Sequence, residues 1–246
     1  MIKRACQEPS EPKTMGVCGI LPIVTKKNIQ IVHCKDKIEA SKKSLEHLLQ
    51  IVDKNTLLFL SGGTSPDLLY QLIAQGDGFK AGAVALIDER YGEVMHDNSN
   101  EGMIAQTGLT DYINNVGIPC YKILQGKDLE TTANEYEQVI KDLFAKYPKK
   151  IAVMGIGADG HTAGIKPGLD YDQSKLVVAF DDKGAFGKRV TLTFKALEKI
   201  DEFVILAFGE NKKESLQKVF TESDQKKLPA SFYNKTTSLV AIYTDC

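Results

Sequence analysis

The feature that most constrains the fold is an alternation of short apolar runs with helical patterns, which starts at residue 29 and continues almost to the end of the chain. The run over residues 203–208 is almost wholly apolar, which is typical of a strand covered on both faces. This order predicts a doubly wound α/β fold with a mostly parallel sheet and helices on both faces. Strands are predicted over residues 29–34, 56–60, 83–87, 151–154, 176–180, 189–193, 203–208 and 238–243, with helices over 38–52 and 129–144 and from 66 and 211.

The length of 246 residues suits one large α/β domain, expected over residues 21–246. Residues 1–20 contain two prolines and no apolar signal region, so we expect a flexible extension there. The 31 basic and 32 acidic residues give a net charge of -1, which argues against a nucleic-acid partner or an electrostatic membrane anchor. Five scattered cysteines without zinc-site spacing predict reduced thiols, a cytoplasmic location and no metal.

A glycine-rich segment, the first loop, follows the second predicted strand. Its two successive glycines can turn backbone N–H groups inward, and Ser65 and Pro66 are suited to be the N-cap and first residue of a helix. These groups predict a cradle for an anion such as phosphate, with an ordinary strand-to-helix turn as the alternative. Neither nucleotide-binding fingerprint is present. The candidate binding residues are Ser61, Gly62, Gly63, Thr64 and Ser65.

Three ionisable residues, Asp88, Glu89 and Arg90, follow the third predicted strand directly. Desolvated charge is costly, so a buried strand that ends in this way requires partners for these side chains. The segment therefore predicts functional side chains at the carboxyl end of a strand, and a charged surface loop is the alternative. His96, a little farther along, is expected to be solvated.

The second loop, residues 155–161, is also rich in glycine and follows a predicted strand. Its glycines allow the chain to fold tightly around Asp159 and His161. Histidine is suited to general acid–base catalysis near neutral pH, and an aspartate two residues away can orient it. His33 and His47 lie on a predicted strand and a predicted helix, and we interpret both as structural.

Two cations are placed where an anion could use them. Arg189 begins a predicted strand, and Lys212 lies in the first turn of a helix that Asn211 is expected to cap, with Glu214 completing a capping box. A lysine near a helix N-terminus is disfavoured by the helix dipole unless something negative binds there. For either residue alone, a solvated surface charge is the alternative.

Taken together, the motifs L-S-G-G-T-S-P, D-E-R, S-N and G-I-G-A-D-G-H-T-A resemble the 6-phosphogluconolactonase and glucosamine-6-phosphate deaminase superfamily, from about Thr56 to Lys212. The resemblance implies a phosphate loop at residues 61–65, with further phosphate contacts from Arg189 and Lys212. It also implies that the active-site histidine is His161.

The superfamily has two branches. The deaminase branch resembles D-E-Y at the second motif and carries a glutamate five residues after the histidine, where it assists ring opening. Here Arg90 and Lys166 occupy those two positions, and Thr162 follows the histidine, so the chain resembles the lactonase branch. Lys166 also departs from the lactonase branch, in which an apolar residue usually precedes the next proline.

The lactonase resemblance implies hydrolysis of 6-phospho-D-glucono-1,5-lactone to 6-phosphogluconate, without a metal or other cofactor. His161, oriented by Asp159, would activate water; Arg90 would stabilise the oxyanion, and Asp88 is a further catalytic candidate. A glucosamine-6-phosphate deaminase or isomerase and a non-catalytic sugar-phosphate sensor are the alternatives. The expected partner is a small sugar phosphate, with no nucleic acid and no membrane, and the expected assembly is a monomer or small homo-oligomer.

Overall fold

The computed structural model describes residues 28–183 and 187–246, so the extension expected at residues 1–20 lies outside the described residues. In chain order the strands are β1 (Ile29–His33), β2 (Thr56–Leu60), β3 (Ala83–Leu86), β4 (Asp88–Arg90), β5 (Cys120–Tyr121), β6 (Lys149–Gly155), β7 (Val177–Asp182), β8 (Gly187–Leu192), β9 (Glu202–Ala207) and β10 (Leu239–Thr244). The α-helices are α1 (Lys37–Ile51), α2 (Asp67–Gln75), α3 (Asn100–Gln106), α4 (Leu109–Asn115), α5 (Leu129–Lys146), α6 (Phe194–Leu197), α7 (Glu210–Thr221) and α8 (Phe232–Lys235), with a 3-10 turn at Pro229–Ser231.

Seven strands form one sheet in the order β1-β10-β9-β6-β2-β3-β5, and every pair in it is parallel. Strands β2 and β9 are buried along their whole length, as their apolar sequences require. The prediction of a doubly wound, mostly parallel α/β fold is therefore confirmed. Within the described part of the chain, no helix is both long and apolar enough to cross a membrane.

The order of the strands reverses between β2 and β6. From β2 the chain adds β3 and β5 on one side, whereas from β6 it adds β9 and β10 on the other. Ligands of such sheets bind at this reversal, outside the carboxyl ends of the strands. The first loop leaves β2 and the second leaves β6 at that point, and the Ser61 N–H continues the ladder with a 3.1 Å hydrogen bond to the Val153 carbonyl.

A second, three-stranded antiparallel sheet has the order β4-β8-β7. The sequence predicted β7 and β8 as strands, but it did not predict that they form a sheet of their own. Residues 88–90 are a strand of this sheet rather than a charged loop. The chain passes between the two sheets at Ile87, whose N–H donates to Leu60 and whose carbonyl accepts from Leu192.

The edge of the main sheet is completed by a side chain. Strand β5 is only two residues long, so it pairs with β3 at Val84 and Ala85 but does not reach Leu86. The Tyr136 hydroxyl, from α5, accepts from the Leu86 N–H at 2.9 Å and donates to the Leu86 carbonyl at 2.6 Å. The buried N–H and carbonyl groups of Leu86 would otherwise lack these hydrogen-bond partners.

Glu89 joins β4 to α3. One carboxylate oxygen accepts from the Arg90 and Asn100 N–H groups at 2.7 and 2.6 Å, and the other accepts from the Glu101 N–H at 2.9 Å. Burial raises the pKa of the Glu89 carboxyl to about 7, although these N–H groups oppose the shift. Ser99 caps the same helix by accepting from the Gly102 N–H. The connection between β4 and α3 is therefore held by Glu89 on the strand and by Ser99 at the start of the helix.

We predict that Glu89 makes the stability of the fold depend on pH. Because its pKa is higher when folded, its contribution is complete below the unfolded value near 4.5 and is lost as pH rises to about 7. Between pH 4.5 and 8, the free energy of unfolding of the wild type should fall by about 3 kcal/mol more than that of Glu89→Gln. Urea unfolding across this range measures the difference. Glu93→Gln, at an exposed position, should follow the wild type, and parallel curves for all three proteins would contradict the assignment.

Candidate active site

A cavity of about 400 Å³ opens at the reversal between β2 and β6, which is large enough for a sugar phosphate. The first loop, the second loop, β4, β8 and the start of α7 all contribute to its wall. Ten of the eleven candidate residues line it directly, and Asp159 stands behind His161. The ten are Ser61, Gly62, Gly63, Thr64, Ser65, Asp88, Arg90, His161, Arg189 and Lys212.

The first residue of the first loop, Ser61, is anchored by a hydrogen bond from α2. The Tyr70 hydroxyl, fully buried in α2, donates to the Ser61 carbonyl at 2.8 Å. The Ser61 hydroxyl is also buried, lines the cavity and has no hydrogen-bond partner among the described residues. An unpartnered buried hydroxyl is costly, so this oxygen is available to a polar ligand in the cavity.

Gly62 is required by the close approach of Asn100. A Cβ built on Gly62 would lie 2.0 Å from Asn100 Oδ1, so no larger residue fits without displacing that side chain. The Asn100 amide donates to the Asp88 carbonyl at 2.8 Å. The first residue of α3 thus ties the first loop to β4 across the cavity wall.

Ser65 does not have the role that the sequence predicted. Helix α2 begins at Asp67 with Pro66 as its N-cap, and no side chain among the described residues caps it. The Ser65 hydroxyl instead accepts from the Lys212 ammonium at 2.7 Å, since α7 brings that lysine against the loop. Burial, followed by the charge of Lys37, lowers the pKa of Lys212.

The start of α7 also differs from the prediction. The helix begins at Glu210 with Gly209 as its N-cap, and none of the described side chains caps it, so Asn211 and Glu214 do not form a capping box. Glu214 pairs instead with Lys218, one turn farther along the helix. Asn211 lies in the cavity wall.

Because side chains alternate along β4, its three charged residues point to two different faces. Asp88 and Arg90 lie two residues apart and therefore share one face, whereas Glu89 faces α3. Across the pair of strands, Arg90 lies opposite Arg189. Two like charges directly opposite each other are destabilising unless negative charge is nearby. Asp88 supplies part of this negative charge, since one of its carboxylate oxygens lies 3.4 Å from the Arg189 guanidinium.

Both Asp88 and Arg189 are almost completely buried. Burial raises the pKa of the Asp88 carboxyl, and Arg189, His161 and Arg90 oppose that shift. Arg90 donates to the Asn98 carbonyl at 2.8 Å, which leaves other guanidinium N–H groups for the cavity. His96 is not simply solvated as predicted, because its Nε2 lies 2.9 Å from the Arg90 carbonyl and its ring is half-buried.

The second loop brings Asp159 and His161 together. Asp159 Oδ1 accepts from the His161 backbone N–H at 3.1 Å and lies 2.6 Å from His161 Nδ1. Burial raises the pKa of Asp159, but the hydrogen bond and charge of His161 outweigh it, so the pKa is lowered. Since a carboxylate accepts at Nδ1, that nitrogen carries the proton and Nε2 is the basic one. The arrangement suits a general base.

Neighbouring elements hold the second loop in place. The Gly157 N–H donates to the His161 carbonyl at 2.9 Å, and a Cβ on Gly157 would meet the histidine ring at 2.1 Å. Beside it, the Thr162 hydroxyl lies 2.5 Å from the hydroxyl of Tyr233, which is buried in an aromatic cluster. The Gly160 carbonyl accepts from the Ala230 N–H at 3.0 Å. The histidine therefore rests on a supported turn.

Asn100, Met103 and Ala163 lie in the cavity wall but were not among the site candidates. Asn100 is the first residue of α3, Met103 contacts the Arg90 guanidinium through its sulfur at 3.1 Å, and Ala163 has a φ of 52°. A φ in this region is strained for alanine, and no sequence signal marks it. Lys166, which departs from both branch patterns, pairs with Asp182 of β7 at 2.6 Å.

The chain is similar to known proteins of one family. A family model described as glucosamine-6-phosphate isomerases/6-phosphogluconolactonase matches residues 35–241. A 6-phosphogluconolactonase of Rhizobium meliloti is 27% identical, and the match covers 76% of this chain and 83% of the relative. A glucosamine-6-phosphate deaminase of Listeria monocytogenes is 24% identical, and that match covers 82% of this chain and 92% of the relative. The crystal structure of a 6-phosphogluconolactonase from Thermotoga maritima shares the fold, with a TM-score of 0.68, 24% identity and coverage of 88% and 97%. The chain belongs to the glucosamine-6-phosphate isomerase/6-phosphogluconolactonase family.

Proposed function

We propose that this protein hydrolyses 6-phospho-D-glucono-1,5-lactone to 6-phosphogluconate, a step of the pentose phosphate pathway. The observation that carries the proposal is the 2.6 Å contact between Asp159 and His161 in a cavity that also contains the first loop and Lys212. A general base and an anion cradle are thereby offered to one small molecule. The lactonases among the relatives support the same reaction class.

The phosphate of the substrate would bind at the first loop. The Ser61 hydroxyl has no hydrogen-bond partner in the described part of the chain, and the Lys212 ammonium is already held against Ser65. Backbone N–H groups of Gly62 and Gly63 would add donors, as in other glycine-rich anion cradles. The family resemblance implies a further phosphate contact from Arg189, whose guanidinium also lies 3.4 Å from the Asp88 carboxylate. Binding energy gained at this end is remote from the reacting carbon and positions it.

Hydrolysis would proceed at the other end of the cavity. His161 Nε2 takes a proton from water, and the hydroxide adds to the lactone carbonyl carbon to give a tetrahedral oxyanion. When that intermediate collapses, the bond from the carbonyl carbon to the ring oxygen breaks, and His161 returns the proton to the ring oxygen. Asp159 holds the imidazole in one tautomer and stabilises its charged form throughout.

The oxyanion requires a positive donor, and Arg90 is our candidate. Its guanidinium lines the cavity and is anchored at Asn98, so it needs little reorganisation during the reaction. Preorganised donors of this kind contribute a few kcal/mol to catalysis. Asp88 pairs with Arg189 and offers an acceptor oxygen for a substrate hydroxyl.

Deamination of glucosamine 6-phosphate is the second candidate, because deaminases are also relatives of this chain. That branch is expected to use a carboxylate five residues after the histidine. The corresponding residue here is Lys166, and its ammonium is engaged by Asp182. Replacing an acid with a paired base reverses the charge at that position, which favours the lactonase proposal.

We predict that the purified protein forms 6-phosphogluconate from the lactone and releases no ammonia from glucosamine 6-phosphate. The first product is measured by coupling to the NADP-dependent 6-phosphogluconate dehydrogenase, and ammonia is measured in a parallel reaction. The uncatalysed hydrolysis of the lactone is subtracted with a heat-denatured sample. Ammonia release without lactone hydrolysis would assign the protein to the deaminase branch, and phosphate-dependent thermal stabilisation with neither activity would support a sensor.

We predict that His161→Ala lowers kcat/KM for the lactone by about 10²- to 10⁴-fold, because the general base is lost. Asp159→Asn should lower kcat by a smaller factor and leave KM nearly unchanged, since it removes the group that orients the ring. His33→Asn is the control, because His33 is exposed, lies 3.1 Å from the Cys246 carbonyl through Nδ1 and does not line the cavity of the described residues. Wild-type kcat/KM in His161→Ala would refute the assignment.

We predict that Lys212→Met and Arg189→Met chiefly raise KM, by about 10-fold or more, because each removes a charge-assisted hydrogen bond to the phosphate. Initial rates over a range of lactone concentrations separate KM from kcat. Lys218→Met removes an exposed lysine of the same helix and should leave both constants unchanged. An unchanged KM in both test variants would rule out this placement of the phosphate.

A further inference from the structure

Lys37 lies outside the cavity, yet its side chain ends on the first loop. It is the first residue of α1, a position at which the helix dipole disfavours a cation. Its ammonium donates to the Thr64 carbonyl at 2.6 Å and pairs with the Asp67 carboxylate at the start of α2. Both charged side chains are about one-third exposed, 34% for Lys37 and 38% for Asp67. One ammonium thus joins α1, the first loop and α2.

The contact with Thr64 constrains the peptide that follows. In a trans peptide the carbonyl and the next N–H point in opposite directions, so fixing the Thr64 carbonyl toward Lys37 turns the Ser65 N–H away from it. Ser65 and Thr64 line the cavity, whereas Lys37 does not. The lysine therefore holds the loop from behind, on the side opposite a ligand.

The charge of Lys37 also acts at the cavity. Lys212 is the ammonium that touches the loop directly, and the positive charge of Lys37 contributes, after burial, to the lowered pKa of Lys212. Asp67 offsets part of that charge. Two ammonium groups on either side of one short loop repel each other, and a phosphate bound at the loop would offset that repulsion beyond what Asp67 provides.

We propose that Lys37 is a positioning residue of the phosphate subsite: it fixes the first loop through the Thr64 carbonyl and adds positive charge behind it. The inference rests on the proposed function only for the identity of the phosphate ester. The role of Lys37 itself requires only that the first loop binds phosphate. It also assigns Asp67 the role of a counterion that limits the charge Lys37 presents.

The test is the binding of inorganic phosphate and of 6-phosphogluconate, measured by isothermal titration calorimetry on the full chain. Lys37→Met should raise both dissociation constants at least fivefold, and Lys37→Arg, which keeps the charge and the donors, should stay within twofold of the wild type. Lys42→Met removes an exposed lysine of the same helix and should bind like the wild type. In lactone turnover, Lys37→Met should raise KM by a similar factor and leave kcat within twofold.

Asp67→Asn separates a phosphate role from a merely structural ion pair. If Lys37 serves the phosphate, loss of its counterion should leave binding equal or up to threefold tighter. If the pair only joins α1 to α2, Asp67→Asn should weaken binding as much as Lys37→Met, and that result would overturn the inference. Wild-type affinity in Lys37→Met, or failure of Lys37→Arg to restore binding, would overturn it as well.

The calorimetric readout does not depend on turnover. A wild type that binds phosphate but hydrolyses no lactone would refute the proposed function and leave this inference standing if Lys37→Met binds weakly. Normal lactone turnover with no effect of Lys37→Met on binding or KM would refute the inference alone. A wild type that binds no phosphate would overturn the inference together with the phosphate cradle.

Discussion

The parallel pair β2–β6 determines where everything else in the site can be. Because the chain adds its later strands on opposite sides of this pair, the loops after the two strands diverge and leave a crevice between them. The hydrogen bond from Ser61 to Val153 extends the pairing beyond β2 and fixes where the first loop departs relative to β6. The first loop and the histidine turn therefore face each other without any long connection.

The second sheet supplies the charged wall of the same crevice. A strand of only three residues presents Asp88 and Arg90 on the cavity face and Glu89 on the other. Each of these charges would be costly to bury alone, and each has a partner: Arg189 for Asp88, the N-terminus of α3 for Glu89, and the Asn98 carbonyl for Arg90. The same contacts that make the charges tolerable also fix their positions.

The sequence predicted what depends on local pattern. Apolar runs located eight of the strands, and the segments after those runs located nine of the ten candidate residues that the structure places in one cavity; the tenth, Arg189, begins a predicted strand. Strand-end position was sufficient for this because parallel strands bring their carboxyl ends to one edge. The roles of these residues in binding and catalysis stay predictions.

Features that depend on long-range contacts were not predicted. Ser65 and Pro66 fit a helix start by composition, but a lysine 147 positions away engages the Ser65 hydroxyl instead. The pairing of β4 with β8, which turns a charged segment into a strand, joins residues about 100 positions apart. Lys37 precedes the first loop by a whole helix and a strand, so no motif that contains the loop could have included it.

The distribution of carboxylates divides the cations around the cavity into two kinds. Arg189 pairs with Asp88, and Lys37 pairs with Asp67, so the protein itself compensates these charges. Lys212 and Arg90, in contrast, have no carboxylate within ion-pair distance among the described residues, and they are held by neutral oxygens at Ser65 and Asn98. A substrate with a phosphate at one end and a carbonyl that becomes an oxyanion at the other would supply both missing charges, one on binding and one in the transition state. Under the proposed function, the phosphate contact would stabilise bound substrate and transition state alike, whereas Arg90 would interact more strongly with the oxyanion of the transition state, which is the condition for catalysis.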